Sequence, residues 1–220
     1  MEFWTRTIID NAGPLLDGFR ITVSVSIIAF VVAAAAGLII SLARIYAPPL
    51  RPLLSAYIVF CRNTPIFVQL LWVAYAWYDI FAWPKDVFTA AWVALALQSS
   101  GYLAETFHAG FDSVPHGQVE AAEALGMSRF TALRRIVAPQ MLLTMAPAFM
   151  NQFIVIVKCS TLVSVIAVPD LMFQAIRLTN IWGEPVPILT FVAIIFIIMI
   201  MSLSALSKSL TDRLRLRMAR

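Results

Sequence analysis

ITVSVSIIAFVVAAAAGLIISLA, residues 21–43, runs without a charged side chain until Arg44 closes it. Crossing a hydrocarbon core of about 30 Å takes around 20 apolar residues in a helix, so this run is long enough to span a membrane. Two further runs behave alike: residues 87–104, closed by Glu105, and residues 185–207, closed by Lys208. Residues 53–79 hold Arg62 as their one internal charge, and residues 140–169 hold Lys158, so each reads as a span with an embedded cation. About five transmembrane helices follow, in an all-α polytopic chain forming a single domain over residues 1–220. A β-barrel is excluded, because the period-2 alternation of its strands is absent. Helices remain, since a lipid-exposed segment has to satisfy its backbone hydrogen bonds internally.

Composition agrees. Hydrophobic residues make up 61% of the chain and charged residues 13%, against roughly 25% charged in an average soluble domain. A signal peptide over the first run is disfavoured, although Ala33 and Ala35 imitate a cleavage site. Glu2, Asp10 and Asp17 oppose Arg6 and Arg20 ahead of it, and the apolar run is about twice the length an h-region needs. The first helix is therefore expected to stay in the mature protein.

Basic residues favour the cytoplasmic side of short loops. Arg44 and Arg51 follow the first span, Arg129, Arg134 and Arg135 the third, and Lys208, Arg213, Arg215, Arg217 and Arg220 the fifth. The opposite side receives Arg6, Arg20, Lys85 and Arg177. This places the N-terminus outside and the C-terminus in the cytoplasm. The net charge of +4 is thus a topology signal; the basic tail can touch anionic lipid, and nucleic acid is not an expected partner. Cys61 and Cys159 fall within spans and read as small apolar residues, with no disulfide framework or metal site expected.

Residues 1–18 read as a short outer segment containing Gly13 and Pro14, and the three prolines of residues 46–52 stop the first helix. The second span ends near Trp83-Pro84 in an aromatic belt of Trp72, Tyr75, Trp77, Tyr78, Phe81 and Trp83, whose rings suit headgroup depth. The longest polar connection, residues 111–139, lies on the cytoplasmic side. Asp112-Ser113-Val114-Pro115 offers a cap with a proline for the first helical turn, residues 117–125 are good helix formers, and Gly126 is a C-terminal stop. Ser128 caps a second short helix through Ile136. No internal repeat is visible, so a five-helix half would have to dimerise to enclose a path.

Glu120-Ala121-Ala122-Glu123-Ala124-Leu125-Gly126, followed by Ile136 and Pro139, resembles the EAA loop of binding-protein-dependent ABC importer permeases. The rest resembles the polar amino acid branch of that family over nearly the whole chain. Arg62-Asn63-Thr64-Pro65 with Val68-Gln69-Leu70, Gly101-Tyr102-Leu103-Ala104-Glu105, Ser113-Val114-Pro115, Gly117-Gln118, and Lys158 with Thr161-Leu162-Val163-Ser164-Val165-Ile166 carry the likeness. It implies a type I importer permease fold in a bacterial inner membrane, with residues 112–139 as a cytoplasmic coupling loop. Glu120, Ala121, Ala122 and Gly126 would transmit movement from two cytosolic ATP-binding subunits, and an extracytoplasmic binding protein would deliver the solute. ATP and Mg²⁺ would be used by those partner subunits. The chain itself reads as a transport subunit and not an enzyme, since no Walker, HExxH or GxSxG motif is present.

Polar residues inside spans are functional candidates because they are costly in hydrocarbon. Lys158, Ser160, Thr161, Glu105 and Gln152 are the candidates for the solute path. Lys158 suits a substrate carboxylate, or equally an ion pair with Glu105 or with a partner chain. Glu105 suits an α-amino group or a structural place at the inner end of its span. Arg62 reads as snorkelling or as an interhelical pair, Asn151 and Gln152 as interhelical hydrogen bonds, and His108 and His116 as solvated. Two positions depart from the family pattern: Cys159 stands where an aspartate or asparagine is frequent, and His108 where a basic arginine or lysine is. Another solute class (an opine, a small peptide, an organic cation) and a non-transporting scaffold remain the alternatives.

Overall fold

The computed structural model describes residues 11–218, with the side chains of His116, Arg129 and residues 213–218 outside that description. The expectations for residues 1–10, for the His116 environment and for the basic side chains Arg213, Arg215, Arg217 and Arg220 therefore lie outside the described residues.

Helix α1 covers Ala12–Tyr46, so the outer segment expected to reach residue 18 is helical from Ala12. Pro14 is compatible with that, because the N–H groups of a first turn have no helical acceptor. At the other end Pro48 and Pro49 stop the helix as expected and form a 3₁₀ turn, Pro48–Leu50.

The second span departs from a straight helix. Helix α2 (Arg51–Asn63) and helix α3 (Ile66–Leu71) are separated at Thr64-Pro65, and α3 continues through a π-helical turn, Trp72–Ala76, into α4 (Trp77–Phe81). The two halves meet at a bend of 105°. A residue before proline is driven out of the helical region, and both Thr64 (ψ 126°) and Pro65 (ψ 131°) are extended. The break leaves the Thr64 carbonyl without a helical donor. The Gln98 amide donates to it at 3.3 Å, which is how a broken span stays tolerable where water is scarce.

Helix α5 (Val87–Asp112) opens on Asp86, whose side chain accepts the Thr89 N–H at 2.8 Å. Helix α6 (His116–Ala124) follows. The short helix expected over residues 128–136 is not separate: α7 (Arg129–Ala132) passes through a π-helical turn, Leu133–Val137, into α8 (Ala138–Cys159) and a 3₁₀ stretch, Ser160–Ile166. Helix α9 (Leu171–Trp182) lies in the connection between the fourth and fifth expected spans. Helix α10 (Pro185–Met218) runs well past residue 207. Among the described residues four helices are long and apolar enough to cross, and five if the bent pair is one span.

The core forms where α1 lies along α5. Val25, Ala29, Ala33, Gly37 and Ser41 recur every fourth residue and are buried, facing Ala90, Ala91, Ala94 and Ala104 of α5. Lipid offers no hydrophobic drive for helix association, so small residues that let backbones approach do that work. A Cβ placed on Gly37 would sit 2.9 Å from the Ala104 nitrogen.

A second close approach fixes α9. The buried Asp170 caps it by accepting the Phe173 N–H at 2.9 Å, and the Leu171 N–H reaches Thr22 Oγ1 at 3.1 Å on α1. Asp170 Oδ2 has no partner, and burial pushes this carboxyl up to about 6. A carboxyl whose folded pKa exceeds its unfolded value of about 3.9 holds its proton more tightly when folded. Its stabilisation is therefore full below that unfolded value and is lost as pH rises through about 6. Asp170→Asn is expected to raise the melting temperature of the assembled protein at neutral pH by a few degrees and to flatten its dependence between acid and neutral pH. Thermal unfolding followed at several pH values checks both; an unchanged slope would refute the assignment.

Candidate coupling loop and solute path

Helix α6 starts directly after Pro115, which is extended (ψ 129°) and precedes the first turn instead of entering it. The expected polar cap is also diverted: Ser113 Oγ donates to the Gly110 carbonyl at 2.7 Å, and Asp112 lies 3.7 Å from His108 Nε2. What holds α6 is its inner face. Ala122 and Ala132 are buried, and the Gln140 amide donates to Gln118 Oε1, tying α6 to the base of α8.

The outer face is different in character. Glu120, Ala121 and Gly126 are exposed, so the adjacent alanines divide the labour, Ala122 packing inward and Ala121 facing out. Two large apolar side chains join them: Leu125 is 81% and Phe130 71% exposed. The turn between is closed by backbone hydrogen bonds. Gly126 adopts φ 76°, its N–H donates to the Glu123 carbonyl at 2.9 Å, and the Met127 N–H donates to Ala122 at 3.0 Å. These are the paired bonds of a Schellman stop, which needs a left-handed residue at this position. Ser128 then accepts the Thr131 N–H at 3.3 Å, as its expected capping role requires.

Within the bundle, Glu105 is engaged by Arg44 Nη1 at 2.8 Å. The pairing of Glu105 with Lys158 left open by sequence is thus not the one the fold builds, because Arg44 in the last turn of α1 occupies that carboxylate. Lys158 is exposed and, among the described residues, has no carboxylate at ion-pair distance. Ser160 and Thr161 turn their hydroxyls back on their own helix, donating to Val157 and Lys158 carbonyls at 2.8 Å each. Gln152 is buried and donates to Ser99 Oγ at 3.2 Å, joining α8 to α5, whereas Asn151 is exposed. Arg62 lies over the Tyr102 ring, 5.2 Å from its centroid. These two side chains line a 350 Å³ cavity with Glu105, Thr106, Thr144 and Met145.

The fold therefore gathers Gln152, Ser99, Gln98 and Thr64 into one polar band across α5, and keeps Lys158 apart from Glu105. Ser99 and Gln98 carried no local signal beyond being polar in an apolar run. Leu125 and Phe130 carried none either, since an apolar residue in a short helix ordinarily faces inward.

Residues 33–220 match the family described as "Binding-protein-dependent transport system inner membrane component". The "Probable glutamine ABC transporter permease protein GlnM" of Bacillus subtilis (strain 168) is 34% identical over 89% of this chain and 90% of its own length. The "Arginine transport system permease protein ArtQ" of the same organism is 30% identical over 91% of this chain and 92% of its own. Among solved structures, one described as an "amino acid ABC transporter with histidines" superposes with a TM-score of 0.85 at 33% identity, covering 94% of this chain and 96% of that one.

Proposed function

Because the chain belongs to the family of binding-protein-dependent transport system inner membrane components, we propose that it is one permease half of an importer for polar amino acids. The coupling loop carries this reading: Glu120 and Ala121 face outward on a helix held by Ala122 and stopped by Gly126 at φ 76°. Leu125 and Phe130, uncovered by this chain, extend that face into a surface that a protein groove would desolvate. The partners are two cytosolic ATP-binding subunits, which use ATP and Mg²⁺, a second permease and an extracytoplasmic binding protein. The chain supplies a path and a lever and performs no covalent chemistry. Its N-terminus lies outside and its C-terminus in the cytoplasm, following the basic residues of the inner connections.

Lys158, which is exposed, is a cation for a solute carboxylate, and Ser160, Thr161 and Gln152 are the further polar residues of the path in this reading. Glu105, already neutralised by Arg44, acts at the inner end as half of an ion pair that a moving helix can exchange. The experiment is ATP hydrolysis by the complex in lipid vesicles, with its ATPase and binding protein, screened against single amino acids. Stimulation that needs both the binding protein and one solute class is the expected result. Flat hydrolysis across polar amino acids in an intact complex would reject the solute class, and failure of any ATPase to bind the loop would reject the permease reading.

A further inference from the structure

Gln69 is 1% exposed, and neither its Oε1 nor its Nε2 has a hydrogen-bond partner. An amide buried without partners is costly, and within a membrane no water offsets the loss. Two other amides of the bundle are employed: Gln98 donates to the Thr64 carbonyl, and Gln152 to Ser99 Oγ. Gln69 sits instead beside Leu70 and Val73, which belong to the apolar core. Leucine would fill that space without the penalty, so packing does not account for a glutamine there.

The segment that carries Gln69 lies between two helix irregularities. Helix α3 is six residues long, with the extended Thr64-Pro65 break on one side and the π-helical turn Trp72–Ala76 on the other. Helix irregularities of this kind localise bending. Helix α3 packs against α5 and against the 3₁₀ stretch Ser160–Ile166, which bears Ser160 and Thr161. Tilting α3 away from that stretch would open a gap with Gln69 on one wall and the hydroxyl-bearing segment on the other.

We propose that Gln69 is a solute-contacting residue of the path, uncovered when the second span hinges at Thr64-Pro65. Its amide matches the zwitterionic head of an α-amino acid, donating to the carboxylate and accepting from the ammonium. This rests on the permease reading of the chain.

The test compares Gln69→Leu, Gln69→Met and Gln69→Asn in the full complex, in vesicles, for assembly, thermal stability, uptake and solute-stimulated ATP hydrolysis. Both apolar variants are expected to assemble and to be at least as heat-stable as the wild type, because they remove an unsatisfied buried group. Their uptake is expected to fall by roughly tenfold or more, as loss of a hydrogen bond to a charged ligand group implies. Gln69→Asn, which keeps the amide, recovers part of it. A purely structural glutamine would not raise stability and lower uptake together. Uptake within about twofold of wild type in both apolar variants would overturn the proposal, and so would failure of both to assemble. If the wild-type complex itself shows no binding-protein-dependent stimulation, the permease reading fails, a result separate from either of these.

Discussion

Gly126→Val is expected to cut binding-protein-stimulated ATP hydrolysis by roughly tenfold while leaving the complex assembled, and Gly126→Asn is expected to retain most of it. Space is not the obstacle, since a Cβ at this position would meet nothing within 4 Å. The obstacle is the backbone at φ 76°. A left-handed conformation costs an L-residue about 1–2 kcal/mol, a β-branched side chain is the worst case, and asparagine is the side chain that tolerates it best. That cost opens the turn, loosens the Met127 bond to the Ala122 carbonyl, and lets α6 swing independently of α7. A lever that swings freely transmits nothing. Hydrolysis measured with and without loaded binding protein reads the coupling directly, and a valine variant coupled as tightly as wild type would show that the turn is not the lever.

Gly37→Leu is expected to prevent assembly, and Gly37→Ala to lower the melting temperature clearly. The Ala104 nitrogen at 2.9 Å and the Leu103 carbonyl carbon at 3.0 Å are backbone atoms and cannot rotate away from a new Cβ. Overpacking a tight contact costs typically about 1–3 kcal/mol for extra methylenes, and here it separates the two helices that form the core. Gly13→Ala is the control. It sits in the first turn of the same helix with nothing within 4 Å, so alanine there meets no neighbour. Size-exclusion profiles and thermal unfolding of the three variants check the ordering; a Gly37→Leu protein that assembles normally would mean that α1 does not rest on α5 as described.

Helix α5 illustrates how much was readable along the chain. Its uncharged run announced the span, yet its length to Asp112 was not evident, because Glu105 looks like an end when Arg44 is not known to face it. The Thr64-Pro65 dipeptide was in plain view, but a proline also occurs inside continuous helices, as Pro147 does in α8. Only the bend angle distinguishes the two. Ala121 and Ala122 are identical in sequence terms and opposite in exposure, a difference set by which face α7 and the π-helical turn Leu133–Val137 cover.

The amino-acid sequence by itself determined the solvent, the helical class, the runs long enough to cross and the glycine stop after residues 116–124. Each of these depends on the length of an apolar run or on residues within one or two helical turns, so neighbours along the chain contain the information. Tertiary structure alone decided the partner of Glu105, the isolation of Gln69, the docking of α9 through Thr22, and the contact of Gly37 with the backbone of α5. Those follow from the juxtaposition of side chains as far apart as Arg44 and Glu105 or Thr22 and Leu171. No local period encodes such a meeting, because it is set by how whole helices cross.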